Sequence, residues 1–470
     1  MESRVNWLLL GNMMLVSFLI GISHRIFAIS LPTIARSLET DIVGISWALI
    51  SFQLSTISLS LVFGRIGDLH GRQSVFGVGL LIFTLGSFLC GLAQDILQLV
   101  SFRLLQGIGA AMAQAQGRVL AMEAAPENWA GKTQGLMTTA HHAGFLFGPS
   151  FGGLIIDYIH WRGVFFLLVP LGAAGAFLTW INRKRSGSSA TSPATIPHGS
   201  IDYLGSFLLV AATVALIVIL DRRFMEILSP GWQTGLVIGF VALFSGFIVR
   251  EAIASSPILE LALFKIRLFA ISTICLLLVT IMQSLTGFLL PFYFQEILFL
   301  SPTFMGILFM SMPVFSVTLS PLGGYLSDKV GPRLPATAGI IFFGVAALLG
   351  AFLRTDSRWF LATVMLALGG IGTGFFYPPN HTAMISSVPQ KHRGVASGAL
   401  YMMFGLGNIL GITLGGFLMT SSFRFHTGLS EALPTTADPS AFVAALNTTF
   451  LAAAGFSMVA MFFSLSRGKR

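Results

Sequence analysis

The sequence predicts an all-α integral membrane protein made of two pseudo-symmetric six-helix bundles with two further transmembrane helices inserted between them, fourteen spans in all. Three observations carry that expectation. The 470 residues are 54% hydrophobic and 10% charged, whereas soluble domains carry about 25% charged residues; the mean hydropathy is +0.84. Fourteen apolar stretches approach the roughly 20 residues that a helix needs to cross a bilayer. A pattern of glycines in the first third of the chain returns at a fixed offset near its end.

In chain order the first six spans fall at about 7–29, 45–63, 75–93, 97–119, 133–157 and 163–181. Two follow at 203–220 and 231–249, and the last six at 268–291, 303–322, 335–353, 358–379, 394–420 and 442–465. The first is longer than a signal-peptide core and lacks a small-residue cleavage site, so it reads as a retained span. An even count puts both termini on one side, and the basic residues select that side. With the termini inside, the inner loops and ends hold Arg4, Arg65, Arg72, Lys132, Arg183, Lys184, Arg185, Arg250, Lys265, Arg267, Lys329, Arg333, Lys391, Arg393, Arg467, Lys469 and Arg470. The outer loops hold only Arg36, Arg162, Arg222, Arg223, Arg354, Arg358 and Arg424. Both termini are therefore expected in the cytoplasm. On this reading the net charge of +9 reflects basic inner loops and no nucleic-acid partner.

The repeat organises the chain. Gly131, Gly135, Gly144, Gly148, Gly152 and Gly153 return as Gly394, Gly398, Gly407, Gly411, Gly415 and Gly416, and Gly107-Ile108-Gly109 returns as Gly370-Ile371-Gly372. Spans one to six and nine to fourteen are thus two copies of one unit. The expected domains are 1–182, a Ser-rich cytoplasmic linker at 183–202, an unpaired helix pair at 203–250, and 251–470.

Four groups of residues carry candidate chemistry. The stretch Gly64-Arg65-Ile-Gly-Asp68-Leu-His-Gly71-Arg72 reads as a short charged loop between spans two and three. Its counterpart holds Gly324, Asp328, Gly331 and Arg333. The glycines allow tight turning, and Asp68 is placed to pair with Arg65, Arg72 or a helix amino end as an inner latch. Span four carries Arg103 and Gln106. An arginine inside a span costs about 2.5–3.5 kcal/mol on insertion scales, so it faces a cavity or partner, or snorkels outward. In span five Gly144, Gly148 and Gly152 share one helix face and allow close helix approach. Pro149 bends that span, and with Gly153 the set suits a sliding interface between the two halves. His141 and His142 lie near the middle of the same span, as proton carriers or as a hydrogen-bonded packing pair. As a buried dibasic pair with Arg103 and Arg25 nearby, they suit an anionic or zwitterionic cargo. Gln283 and Asn380 complete the polar residues assigned to a cargo cavity.

The loop after span two, the arginine motif of span four and the Gly-Pro motif of span five resemble the signature motifs of the major facilitator superfamily. The fourteen spans, and Trp161-Arg162 leading to Val169-Pro170-Leu171-Gly172, resemble its drug:proton antiporter branch. The resemblance implies the major facilitator fold and alternating access. It places Asp68 and Arg72 in the inner gate, Arg103 in proton coupling and Gly148-Pro149 at the interface between halves. Two positions depart from the branch: Ser23 stands where its first span carries an acidic residue, and Leu168 where it carries asparagine before Val-Pro. No carboxylate lies mid-span.

The resulting expectation is a multi-pass transporter of a bacterial inner membrane, powered by a proton gradient and exporting small amphipathic molecules of the drug type. The alternatives are export of an anionic or zwitterionic metabolite and a transporter-like sensor without turnover. No nucleotide loop, metal cluster or nucleophile constellation is present, so neither an enzyme nor a bound cofactor is expected. The expected partners are small-molecule cargo, protons and the lipid bilayer, for a monomer.

Overall fold

A computed structural model describes residues 5–126, 129–186, 202–221, 225, 228–254, 260–389, 393–428 and 438–467. Helices occupy every predicted span. They are α1 (Trp7–Ser37), α2 (Ile42–His70), α3 (Arg72–Leu92), α4 (Ile96–Glu123), α5 (Ala130–Tyr158), α6 (Gly163–Phe166), α7 (Leu168–Ser186), α8 (Tyr203–Leu220) and α9 (Pro230–Ile253). After these come α10 (Arg267–Phe292), α11 (Pro302–Phe309), α12 (Ser311–Val330), α13 (Arg333–Gly350), α14 (Trp359–Ser386), α15 (Arg393–Thr427) and α16 (Pro439–Leu465). Among the described residues twelve helices are long and apolar enough to cross a membrane. The apolar part of α8, Leu204–Leu220, is shorter, and α5 is not among the twelve. The sixth predicted span is broken at Leu167 and the tenth at Met310.

The chain divides into two compact units. The first takes Met1–Thr40, Trp47–Ile201 and Ser301–Met310; the second takes Asp41–Ser46, Asp202–Leu300 and Ser311–Arg470. The inserted pair α8 and α9 falls in the second unit, where α8 also meets α15. Each repeat thus contributes the first turns of its second helix to the other unit.

The same helix pairs meet inside each unit. In the first, α1 packs on α5, α3 on α4, α7 on both α1 and α3, and α1 also meets α4. In the second, α10 packs on α15, α13 on α14, α16 on both α10 and α13, and α10 also meets α14. The crossing of α1 and α5 illustrates why the glycine spacing matters. A Cβ on Gly144 would lie 2.6 Å from the Ile22 nitrogen and 3.0 Å from the Gly21 carbonyl carbon. Its counterpart Gly407 would meet Thr280 Cβ on α10 at 2.8 Å. Without large side chains at the seam the backbones approach closely, and dispersion contacts hold the pair where lipid supplies no hydrophobic drive.

The expected charged loop after span two is largely helical. Helix α2 runs on to His70, and only Gly71, with φ of 90°, leaves the helix before α3 begins at Arg72. Gly331, with φ of 83°, makes the corresponding break between α12 and α13. One residue in the left-handed region is enough to reverse the chain, and glycine adopts it without a Cβ clash.

A second matched pair occupies the left-handed region without being glycine. Glu39 precedes α2 and Phe299 precedes α11, both with φ of 50°. This geometry costs an L-residue about 1–2 kcal/mol. Glu39→Gly is expected to raise stability by about 0.5–1 kcal/mol after the added backbone entropy of glycine is deducted. A rise in the thermal unfolding midpoint of detergent-solubilised protein checks this, and an unchanged or lower midpoint contradicts it.

Candidate functional site

In the first unit Arg103 lies at the centre of α1, α2, α3 and α4. It is 1% exposed. Its Nε donates to the Ala48 carbonyl at 3.0 Å and its Nη1 to Gln106 Oε1 at 2.7 Å. Gln106 Nε2 donates in turn to Ser87 Oγ at 2.7 Å, and Ser87 donates to the Phe83 carbonyl. The guanidinium carbon sits 4.2 Å from the ring centroid of Phe27 and 4.4 Å from that of Phe52. Two aromatic faces and two oxygens stand in for the water that the charge gave up. Arg103 and Gln106 are therefore inside the packing of the bundle and not on a cavity wall. The α-helical register explains it: the carbonyl of Ala48 on α2 meets Arg103 where small residues on α4 bring the two helices together.

A second cationic group lies between α1 and α5 and is gathered around Phe145. The Arg25 guanidinium carbon is 4.9 Å from the Phe145 ring centroid. The rings of His141, His24 and His142 lie 4.8, 6.2 and 6.4 Å from it. His141 turns toward α1, with Nδ1 3.2 Å from the Ser17 carbonyl, while His142 is exposed. His24 also stands edge-on to Phe52, linking this group to the Arg103 hub. Acidic residues on α1, α4 and α5 are confined to helix ends: Glu123 closes α4 and Asp157 lies in the last turn of α5. Ser23, at the position of the branch's acidic residue, is buried with no partner for its hydroxyl. Leu168, at the asparagine position, is buried and packs with Leu19, Ile22, Phe52 and Phe83.

The second unit has a neutral polar group at the matching place. By the helix crossings Gln283 and Ser284 match His24 and Arg25, since Gly411 meets Ile281 and Ser284 as Gly148 meets Ile22 and Arg25; Asn408 lies 263 residues after Phe145. Tyr377 Oη donates to Gln283 Oε1 at 2.8 Å, and Gln283 Nε2 to Thr373 Oγ1 at 3.3 Å. Ser284 Oγ donates to Asn408 Oδ1 at 2.5 Å. Asn380 stands apart from this group and is fully buried. It accepts from Arg467 Nη2 and donates to the Ser272 carbonyl at 3.1 Å, tying α14 to α10 and to the end of α16. Burial depresses the affinity of the Arg467 guanidinium for its proton, the neighbouring Cys275 opposing that shift.

The expected inner latch is described in part, because the side chains of Arg65 and Asp68 lie outside the described residues. Arg72 Nη1 pairs with Glu123 Oε1, joining the first turn of α3 to the last turn of α4. Gln116 Nε2 donates to the Phe63 carbonyl at 2.6 Å and the Gly64 carbonyl at 3.2 Å, so α4 also holds the end of α2. In the second copy Asp328 is exposed, Gly324 has open space around it, and the buried Nε of Arg333 has no partner.

The glycines assigned to the interface between halves need correction. Gly144, Gly148 and Gly152 face α1 of their own repeat, against Ile22, Arg25 and Ile26. Their four-residue spacing makes one stripe, and the nearest helix fills it. Only Gly153 and Pro149, turned about 100° per residue from that stripe, meet α11 from the second repeat. His24, Phe145, Tyr377, Asn408, Glu123 and Asp157 were absent from the expected site. The 263-residue repeat sets His24 opposite Gly287, so its match to Gln283 shows only in the helix crossings.

These motifs agree with comparisons to known proteins. Residues 13–287 and 272–469 match the family model of the Major Facilitator Superfamily. The chain belongs to the Major Facilitator Superfamily. Among curated superfamily members it is 27% identical over 466 residues to the riboflavin transporter RibZ of Clostridioides difficile, covering 98% of this chain and 97% of that one. It is 28% identical over 428 residues to the multidrug resistance protein Stp of Mycobacterium tuberculosis, covering 89% and 77%. In fold it resembles a solved bacterial homologue of the human lysosomal transporter Spinster, in an inward-facing and occupied conformation, with a TM-score of 0.70 at 16% identity over 99% and 97% of the two chains. Superfamily membership and these relatives point to a multi-pass membrane transporter of small molecules and not to an enzyme. Among the described residues there is no group of three or more His, Cys, Asp or Glu able to hold a metal ion.

Proposed function

We propose that this protein is a fourteen-span secondary transporter that moves small amphipathic molecules out of the cell in exchange for protons, by alternating access. It works as a monomer in a bacterial inner membrane with both termini in the cytoplasm. The multidrug relatives support export, and the riboflavin transporter supports a flat, ring-bearing cargo. The observation that carries the reading is the group of His24, Arg25, His141 and His142 around Phe145. It offers an aromatic face for stacking, a fixed positive charge and imidazoles as groups able to take up and release a proton.

The same observation favours a second reading of the cargo, as anionic or zwitterionic. Acidic side chains on α1, α4 and α5 are confined to the helix ends, so a cation in this region gains no counter-charge. An anion meets Arg25. Replacing Arg25 by Gln removes a charged hydrogen-bonding partner worth about 1.5–3 kcal/mol, which is about a ten- to hundredfold loss of affinity for an anionic cargo. Proteoliposome counterflow with paired cationic and anionic aromatic compounds tests this. The anionic reading expects exchange of the anions, weakened by Arg25→Gln. Exchange of cations alone, indifferent to Arg25, overturns it and leaves the drug-efflux reading.

A further inference from the structure

Helix α11 is the short first part of the tenth predicted span, yet it packs in the first unit against α5. Backbone touches backbone there. A Cβ on Gly306 would lie 2.9 Å from the Pro149 carbonyl carbon and 3.1 Å from Ser150 Cα; one on Gly153 would lie 2.7 Å from Thr303 Cα. Ser150 Oγ donates to Met310 Sδ at 2.7 Å.

The amino end of α11 is closed by two different sources. The first N–H groups of any helix lack intrahelical acceptors. Pro302 has none to satisfy, and the Phe304 N–H is taken by the helix's own Ser301 hydroxyl at 3.2 Å. The Thr303 N–H goes to another helix: it donates to Asp157 Oδ2, in the last turn of α5, at 2.8 Å. A carboxylate at the positive end of a helix adds charge to that hydrogen bond.

The matching joint in the second unit is closed differently. There the first turn of α2 approaches α15, where a Cβ on Gly416 would meet Val43 Cγ2 at 3.8 Å. Helix α2 caps itself, Asp41 Oδ1 accepting from the Gly44 N–H at 2.8 Å. Thr420, at the repeat position of Asp157, donates back to the Gly416 carbonyl of its own helix. The carboxylate that caps α11 is therefore not repeated at position 420.

We propose that Asp157 is a latch residue for transport: its carboxylate holds α11 on α5, and each cycle releases that cap and remakes it. The inference rests on the alternating-access reading above, but its test does not need transport. Spin labels at Leu154 on α5 and Ile307 on α11, both exposed, report the separation of the two helices in full-length protein in nanodiscs by double electron–electron resonance. The native Cys90 and Cys275 are fully buried. The unaltered protein gives one dominant short distance. Asp157→Ala raises the separated fraction about fivefold, the scale of a lost helix cap. Asp157→Asn raises it less, because the amide oxygen still accepts.

Thr303→Pro gives an independent check, since proline is tolerated in a first turn and removes the donor while leaving the carboxylate intact. It reproduces Asp157→Ala, and the double variant adds nothing further. Distances in Asp157→Ala and Thr303→Pro that superimpose on those of the unaltered protein overturn the latch. If the distances respond while the unaltered protein exchanges no compound in proteoliposomes, the latch stands and the transport reading fails.

Discussion

Gly144→Ala is expected to destabilise the first unit by about 3 kcal/mol, at the upper end of the overpacking range. The added methyl would meet the Ile22 nitrogen at 2.6 Å and the Gly21 carbonyl carbon at 3.0 Å. Both are backbone atoms, so no rotamer change can make room and α1 must move away from α5. That separation also disturbs the groups around Phe145, because Arg25 and His24 ride on α1. The repeat contains its own control. A methyl on Gly415 meets Leu285 at 3.5 Å, an ordinary contact, so Gly415→Ala is expected to change stability by less than about 1 kcal/mol. Thermal unfolding of the two variants in detergent, monitored by size-exclusion fluorescence, compares them. Equal midpoints would show that the α1–α5 seam is looser than these distances require.

Arg103→Ala is expected to cost about 3 kcal/mol or more. Two charge-assisted hydrogen bonds disappear, the Ala48 carbonyl and Gln106 Oε1 lose their donor, and a void opens between Phe27 and Phe52. An opposing term exists, because the variant no longer buries a guanidinium. The two aromatic faces and two oxygens have already offset most of that cost, so the loss dominates. Arg103→Lys is expected to recover little, since one ammonium cannot span both acceptors with the planar geometry of the fork. The same unfolding assay checks both variants. An Arg103→Ala protein as stable as the parent, with transport abolished, would return Arg103 to a direct role in coupling.

Much of the architecture was legible in residue spacing. The 263-residue offset of the span-five glycines anticipated the same helix pairs in both units, since a glycine stripe specifies which face another helix can approach. Helix locations followed from apolar length. The site was less legible for a physical reason. A mid-span arginine announces that it needs partners, but the sequence does not say whether they are water and cargo or, as for Arg103, a carbonyl, a glutamine and two rings. The helical character of Gly64–His70 was hidden because glycine and charge suggest a loop, while hydrogen bonds from Gln116 hold that end of α2 in place. Asp157 is, in the sequence, one more carboxylate near a helix end. Its donor, the Thr303 N–H, lies 146 residues away, beyond the reach of local pattern.

The most direct measurement is cargo flux in sealed proteoliposomes under an imposed pH gradient, with internal pH recorded at the same time. The account predicts that at least one amphipathic aromatic compound accumulates against its own gradient, that protons move the opposite way, and that both fluxes fall together when Arg25 is replaced by Gln. Compound movement that ignores the pH gradient, with no accompanying proton flux, would contradict it.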